Sequence, residues 1–386
     1  MSILPEDLVR QIHDTTSQIV LVLNGGSRAV AELLEMPGGS KNLLEATIPY
    51  SEGALTAWLG SRPEQFCSSR TARAMAVVAF GRAIRYGTAE QQAAGVSCTA
   101  GLATDRPKRG PHRAHVAVQT ACQTRHWLLE LEKDARSRQE EEQIVNCMVL
   151  NAVAEACSIT SRLELPLLEH ERVEVQQVTA PLPWQDLFLG RVEAIKPSPP
   201  ALLPEGEGKN LPRVILSGAF HPMHVGHRRM AEIAQEVLGL PTAMEISILN
   251  VDKPALDYLE IDCRLRQFSP EQAVWLTRAA TFDDKSRLFH GATFVVGVDT
   301  LRRIVDPRYY GNDRNVMMQS LERIIGRDCR FLVFGRACGS SFIRLSDLDL
   351  PDVLRRACNE VPPQKFREDV SSSVLRREWG QADVRH

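Results

Sequence analysis

The stretch Arg213-Val-Ile-Leu-Ser-Gly-Ala-Phe-His-Pro-Met-His-Val-Gly-His227 decides the fold of the second half of the chain. It opens as a short apolar run containing two β-branched residues, Val214 and Ile215, and closes on a glycine turn, the pattern of a buried strand. Past the turn the spacing becomes helical and runs to residue 238, so strand, turn and helix follow one another without a spacer. Free N–H groups and the helix dipole at such a helix start favour an anion. Ser217, Gly218, Ala219 and Phe220 form the turn, where Gly218 lets backbone approach a phosphate closely. His224 and His227 stand at the helix start, where an imidazole donates to a phosphate oxygen.

Working outward, strands are expected at 243–251, 293–297 and 331–334, with helices at 270–280 and near 315–325. Strands alternating with helices at this spacing predict a doubly wound parallel sheet, in which ligands bind at the carboxyl ends of the strands. Near the end of the chain, Asp369-Val-Ser-Ser-Ser-Val-Leu-Arg376 reads as a second helix start. The hydroxyls and amides of Ser371, Ser372 and Ser373 suit the β- and γ-phosphates of a nucleotide, and Arg376 offers a guanidinium fork one turn inward. Moving a nucleotidyl group requires little more of a protein than positioned phosphates and neutralised charge.

On these residues, 211–386 resembles the nucleotidyltransferase superfamily with the His-x-Gly-His motif, which includes the nicotinamide mononucleotide adenylyltransferases. The family pattern Gly-x-Phe-x-Pro-x-His-x-Gly-His is matched at Gly218, Phe220, Pro222, His224, Gly226 and His227, and Ile-Ser-Ser-Thr-x-x-Arg at 370–376, with Ser373 in place of threonine. Gly297-Val-Asp299 resembles the family's Gly-x-Asp element, and 331–336 its strand ending in an arginine, Arg336. The resemblance implies a Rossmann-like α/β domain with catalytic roles for His224, His227 and Arg376. It implies nucleotide contacts at Ser217, Gly218, Ala219, Phe220, Gly226, Gly297, Asp299, Arg336, Ser371, Ser372 and Ser373. It also implies that magnesium comes with the triphosphate, without protein ligands, and that no covalent intermediate forms.

The expected reaction is transfer of AMP from ATP to a phosphorylated small-molecule acceptor, with nicotinamide or nicotinic acid mononucleotide first among acceptors, as in NAD biosynthesis. The serine element resembles the adenylyl-transferring branches more than the cytidylyl-transferring ones. A cytidylyltransferase, another adenylyltransferase acting on a phosphate acceptor, and a non-catalytic nucleotide sensor or scaffold stay open as alternatives. Lys253, just past the second strand, and Trp275, on the expected helix 270–280, are acceptor-site candidates; their plainer readings are a solvated loop charge and a core anchor.

In the first half, helices are expected at 5–17, 27–34, 69–82 and 135–156, and strands at 19–23, 116–122 and 127–131. An extension at 166–195 holds one more strand, 172–178, and the run Lys196-Pro-Ser-Pro-Pro-Ala-Leu-Leu-Pro-Glu-Gly-Glu-Gly-Lys-Asn210 reads as an extended linker. The expected domains are therefore 1–165, an extension and linker over 166–210, and 211–386. Residues 18–160 resemble the CinA C-terminal family, whose active members are nicotinamide mononucleotide deamidases, through Asn24-Gly25-Gly26, Pro37-Gly-Gly-Ser40, Tyr50-Ser51 and Cys98-Thr-Ala-Gly101. Ser40 and Tyr50 match residues of the family's amide-cleaving site. The lysine expected soon after the tyrosine is absent, with Leu55 in that neighbourhood, and a serine without a nearby cation is a poor nucleophile. This implies a degenerate relative, kept for homo-oligomerisation or for binding a nucleotide. The basic run 106–115 reads as a solvated loop, with phosphate binding as its alternative.

Composition bounds the rest. A chain of 386 residues exceeds one ordinary core, so two domains are expected. With 44% hydrophobic and 24% charged residues and a net charge of -2, it has no basic field for nucleic acid. Nine scattered cysteines without a Cys-x-x-Cys pair disfavour a disulfide framework or a zinc ribbon. No apolar run approaches the roughly 20 residues of a membrane helix and no signal-peptide pattern opens the sequence, so a cytoplasmic protein without a membrane partner is expected.

Overall fold

The computed structural model describes residues 3–105, 110–197, 211–338 and 341–366. Most of the expected linker (198–210), part of the basic run (106–109) and the whole element from Ser371 to Arg376 lie outside the described residues. The chain divides into two compact units, Met1–Gln185 with Asp252–Asp262, and Asp186–Val251 with Cys263–His386.

The first unit is built from α1 (Pro5–His13), β1 (Gln18–Asn24), α2 (Arg28–Glu35), β2 (Leu43–Thr47), α3 (Glu52–Leu59), α4 (Ser69–Tyr86), β3 (Ala93–Gly101), β4 (His112–Thr120), β5 (Gln123–Leu131), α5 (Arg138–Ala156) and β6 (Val173–Thr179). Its sheet runs β2-β1-β3-β4-β5-β6, with β1 parallel to both neighbours and the later pairs antiparallel. One face packs Leu21, Val96, Val116 and Leu129 against Ile144, Val145 and Val149 of α5. A capping box between Ser137 and Glu140 starts α5 by satisfying its first free amides. The other face is covered by α4 at very short range, because Ala72 and Ala76 meet Ala117, and a Cβ on Gly95 would stand 2.1 Å from the Ala76 carbonyl oxygen.

The basic run departs from expectation. Residues 112–115 are no solvated loop but the start of β4, paired on both edges, with His112 Nδ1 2.6 Å from Glu141 Oε1. His115 is buried against His126, their facing ring nitrogens 3.2 Å apart and the rings stacked. Burial lowers His115 to about 4, helped by the charge of Arg113. Burial, then the charges of His115 and Arg73, lowers His126 to about 3. In an unfolded chain both would titrate near 6.5, so between that pH and the folded values the unfolded state binds more protons and folding weakens as pH falls. Each unit of depression is about 1.4 kcal/mol. The urea midpoint is therefore expected to drop steadily from pH 6.5 to 4.5, and less steeply in His126→Gln; a wild-type midpoint independent of pH over that window would refute this.

The segment Asp252–Asp262 was expected within the C-terminal domain but clusters with the first unit. Tyr258 is fully buried, donating its hydroxyl to the Ala121 carbonyl at 2.6 Å and its N–H to Thr124 Oγ1 at 3.0 Å. Asp257 accepts from Arg73 at 2.6 and 2.7 Å.

The remaining elements are α6 (Leu182–Leu189), β7 (Ala194–Ile195), β8 (Val214–Ser217), α7 (Val225–Leu238), β9 (Thr242–Ser247), α8 (Tyr258–Leu265), β10 (Val274–Thr277), α9 (Phe282–Leu288), β11 (Thr293–Gly297), α10 (Val298–Ile304), α11 (Arg314–Gly326), β12 (Arg330–Phe334), β13 (Arg336–Cys338), β14 (Ser341–Ile343), α12 (Asp352–Arg355) and β15 (Cys358–Glu360). The second unit's sheet runs β15-β12-β11-β8-β9-β10-β7, parallel throughout except for β7 at its edge. Strand order reverses at β8, whose successor β9 lies on one side and β11 on the other. A crevice opens at such a reversal, outside the carboxyl ends of the strands.

The helix expected at 270–280 is corrected to a strand, β10. Val274, Trp275, Leu276 and Thr277 are β-branched, aromatic or apolar and all buried, and a strand buried on both faces carries no alternation to distinguish it from helix. Trp275 is 4% exposed and packs edge-on against Phe289 in a core with Phe294 and Phe331.

Candidate active site

The turn after β8 is shaped by one aromatic ring. Phe220 holds a left-handed backbone, φ 44°, which folds its side chain back under the turn, where it is 1% exposed. A Cβ on Gly218 would lie 2.9 Å from that ring, so glycine is what permits the doubling back. The ring meets Phe268 and His227 edge-on, at 5.4 and 5.1 Å between centroids. Gly218 N–H donates to the Glu245 carbonyl at 3.0 Å, tying the turn to β9.

His224 is the extended residue before α7, and His227 lies one turn in, its ring stacked on that of His224 at 3.8 Å. The His224 N–H donates to His227 Nδ1 at 3.3 Å. A nitrogen that accepts a hydrogen bond is unprotonated, so the neutral ring carries its proton on Nε2. Burial, then the neighbouring His224 charge, lowers His227 to about 4, leaving it a neutral Nε2–H donor at pH 7. Gly226, between the two histidines, is buried in the first turn.

Gln267, just past α8, spans the turn with one carboxamide. Its Oε1 accepts from the Met223 N–H at 2.7 Å and its Nε2 donates to the Phe220 carbonyl at 2.9 Å and the Arg264 carbonyl at 3.3 Å.

Below the turn, Glu245 of β9 is fully buried and accepts from Lys285 Nζ at 2.8 and 2.7 Å and from Thr277 Oγ1 at 2.5 Å. Lys285 completes its set with the Ala279 carbonyl at 3.0 Å. At the carboxyl ends of β8 and β9 the Oγ atoms of Ser217 and Ser247 are buried without a hydrogen-bond partner among the described residues. Buried polar atoms of this kind are ordinarily satisfied by water or ligand.

Strand β11 lies beside β8 in parallel, Val295 opposite Leu216, so Gly297 and Ser217 leave the sheet at the same edge. Gly297 caps α10 with open space where a Cβ would stand, and Asp299 lies in the first turn of that helix. Arg336, just beyond β12, forms an ion pair with Asp299, both about half exposed. Ser217, Gly218, Gly297, Asp299 and Arg336 thus lie on adjacent strand ends, and the turn from Ala219 through Phe220 leads from that edge into the two histidines.

Lys253 falls in the first unit, 3.7 Å from Glu64. Trp275, buried in the core, has its ring committed to packing rather than open to an acceptor, which corrects its expected placement. Ser371, Ser372, Ser373 and Arg376 lie outside the described residues.

In the first unit a cleft of about 450 Å³ is lined by Gly25, Ser27, Arg28, Tyr50, Arg138 and Glu142, among others. Tyr50 stands at it, 73% exposed, whereas Ser40, exposed in the short turn Gly39–Lys41, is not among its lining residues. Leu55, in the neighbourhood where the resemblance implies a lysine, is fully buried in α3. At the start of α2 the Gly26 and Ser27 amides donate to Glu142 Oε1 at 2.8 and 3.3 Å. The chain's own carboxylate therefore takes the amides that a phosphate would use.

Gln267, Glu245, Lys285 and Glu142 carry no motif in the sequence. Gln267 is 44 positions from Met223 and Glu142 is 116 from Gly26, so no local spacing marks them.

No family model and no curated protein matches the chain. Among solved structures, it is similar to a competence/damage-inducible protein from Agrobacterium tumefaciens, with 21% identity and a TM-score of 0.34 over 40% of this chain and 99% of that one. It is also similar to a competence or damage-inducible protein from Enterobacter asburiae, with 16% identity and a TM-score of 0.32 over 40% of this chain and 96% of that one. A third likeness is to a competence-damaged protein (CinA) superfamily protein from Escherichia coli, with 14% identity and a TM-score of 0.31 over 40% of this chain and 88% of that one.

Proposed function

We propose that the second unit is a Rossmann-like nucleotidyltransferase that moves AMP from ATP to a phosphorylated acceptor, nicotinamide or nicotinic acid mononucleotide first among them. An oxygen of the acceptor phosphate attacks the α-phosphorus, the bond to the β-phosphate oxygen breaks, and pyrophosphate leaves. The observation that carries this reading is the stacked pair His224 and His227 at the start of α7, reached directly from the end of β8 at the strand reversal. Phosphates set there meet the N–H groups of the helix start and the Nε2–H of His227. Asp299 and Arg336, on the neighbouring strand ends, would exchange their mutual ion pair for nucleotide contacts. Ser371, Ser372, Ser373 and Arg376 take the β- and γ-phosphates in this reading, and magnesium enters as part of the triphosphate substrate.

The first unit we read as a degenerate CinA-like domain. Support comes from Glu142, which fills the start of α2, and from buried Leu55, in the neighbourhood where the resemblance implies a lysine. Ammonia release from nicotinamide mononucleotide, lost on replacing Ser40 or Tyr50, would overturn that part.

The deciding experiment is pyrophosphate release from the full chain with ATP or CTP, each paired with nicotinamide mononucleotide, nicotinic acid mononucleotide, phosphopantetheine or glycerol phosphate. Release with ATP and a pyridine mononucleotide is expected. Release only with CTP would make it a cytidylyltransferase, and none with any pair would leave a nucleotide sensor.

A further inference from the structure

We propose that Gln267 is a positioning residue of the transfer site: its carboxamide sets the path of residues 220–223 and, through them, the placement of His224 and His227. This rests on the transferase reading of the same site. Two peptide groups of the turn, the Phe220 carbonyl and the Met223 N–H, lie three residues apart. Both are met by one side chain, with an acceptor at 2.7 Å and a donor at 2.9 Å. A planar amide that supplies one donor and one acceptor holds two peptide groups as a neighbouring strand would, and it fixes the distance between them as well as their directions.

The left-handed backbone of Phe220 is one that a β-carbon-bearing residue adopts only when its surroundings demand it. Here the demand comes from two directions: Phe268 and His227 hold the ring, and Gln267 holds the carbonyl. Gln267 and Phe268 are consecutive, so one short segment after α8 grips both the side chain and the backbone of Phe220. Immediately beyond the second grip, at Met223, comes His224, whose own N–H orients His227. The chain of contacts from Gln267 to the His227 ring therefore runs through the adjacent residues Met223 and His224.

Partners that orient a functional imidazole without touching the ligand ordinarily cost 10–100-fold when lost, and a displacement of about 1 Å at a reacting group costs about as much. Two variants separate positioning from bulk. Gln267→Glu keeps the acceptor for Met223 but sets a carboxylate against the Phe220 carbonyl. Gln267→Met removes both polar atoms at similar volume. With ATP and the best acceptor, both are expected to lower kcat about 10–100-fold with KM for ATP changed by less than about threefold.

The second readout is independent of turnover: the His227 imidazole, followed by NMR, is expected to titrate near 4 in the wild type, where burial lowers it, and to move up toward 6.5 in both variants as the turn loosens around it. An unchanged kcat in both variants overturns the proposal, as does a fall in kcat with His227 titrating unmoved. If the wild-type protein releases no pyrophosphate with any pair, the transferase reading fails. The His227 titration then decides Gln267 alone, a shift upholding its grip on the histidines and no shift refuting it.

Discussion

Replacing His227 by alanine is expected to lower pyrophosphate release by at least about 10²–10³-fold, the ordinary loss when a donor to a developing phosphoryl or oxyanion charge is removed. The loss should fall on kcat more than on KM, because the Nε2–H gains most from an oxygen that becomes more negative in the transition state. The fold should survive, since His227 lies on the half-buried face of α7 and Phe220 keeps its contact with Phe268. The sign of the pH dependence follows from burial. With His227 held at about 4, activity should not rise as pH falls from 7 to 5.5, as it would if an ordinary histidine had to gain a proton to act. A His227→Ala protein that keeps wild-type turnover would end the transferase reading of these histidines.

Replacing Lys285 by methionine is expected to destabilise the protein by about 3–5 kcal/mol, the usual cost of stripping a buried charge of its partner. Glu245 is fully buried and its two oxygens share three donor contacts, two of them from Lys285. Without the ammonium, Thr277 alone cannot compensate a buried carboxylate, so the group must take up a proton or draw water into the sheet. The double variant Glu245→Leu with Lys285→Met removes both charges and should recover much of the loss, since apolar replacement of a buried pair is often neutral. Urea unfolding of the two proteins checks this; a single variant within about 1 kcal/mol of wild type would show that the pair is already solvated. Because Gly218 is tied to the backbone of Glu245, the single variant should also weaken the turn above it.

What the sequence by itself determined about this protein is local. The β8–turn–α7 unit was legible because apolar run, glycine and helical spacing are all written within a few residues of one another. Gly218 and Phe220 were legible as a turn, and the expected helix 135–156 as a helix, α5, although its residues 144–150 are all buried rather than only those along one stripe. The alternation of strands and helices was enough to expect a parallel sheet in the second half; the sheet there is parallel except for its edge strand β7, a two-residue strand that the alternation did not mark.

Only the tertiary structure decided the rest, wherever a residue's state depends on partners far along the chain. Trp275 read as helical because a strand buried on both faces shows no alternation, and only the neighbouring β9 makes it a strand. His115 read as part of a solvated basic loop until β3, β5 and α4 enclosed it. Asp257 and Tyr258 belong to the first unit because Arg73 and Thr124 supply the partners that burial requires. The stacking of His224 on His227 follows from their spacing, but the lowered pKa of His227, the grip of Gln267 on the turn and the occupation of the α2 start by Glu142 do not. Sequence spacing specifies hydrogen bonds within one turn of backbone; desolvation and long-range pairing are properties of what the fold brings alongside.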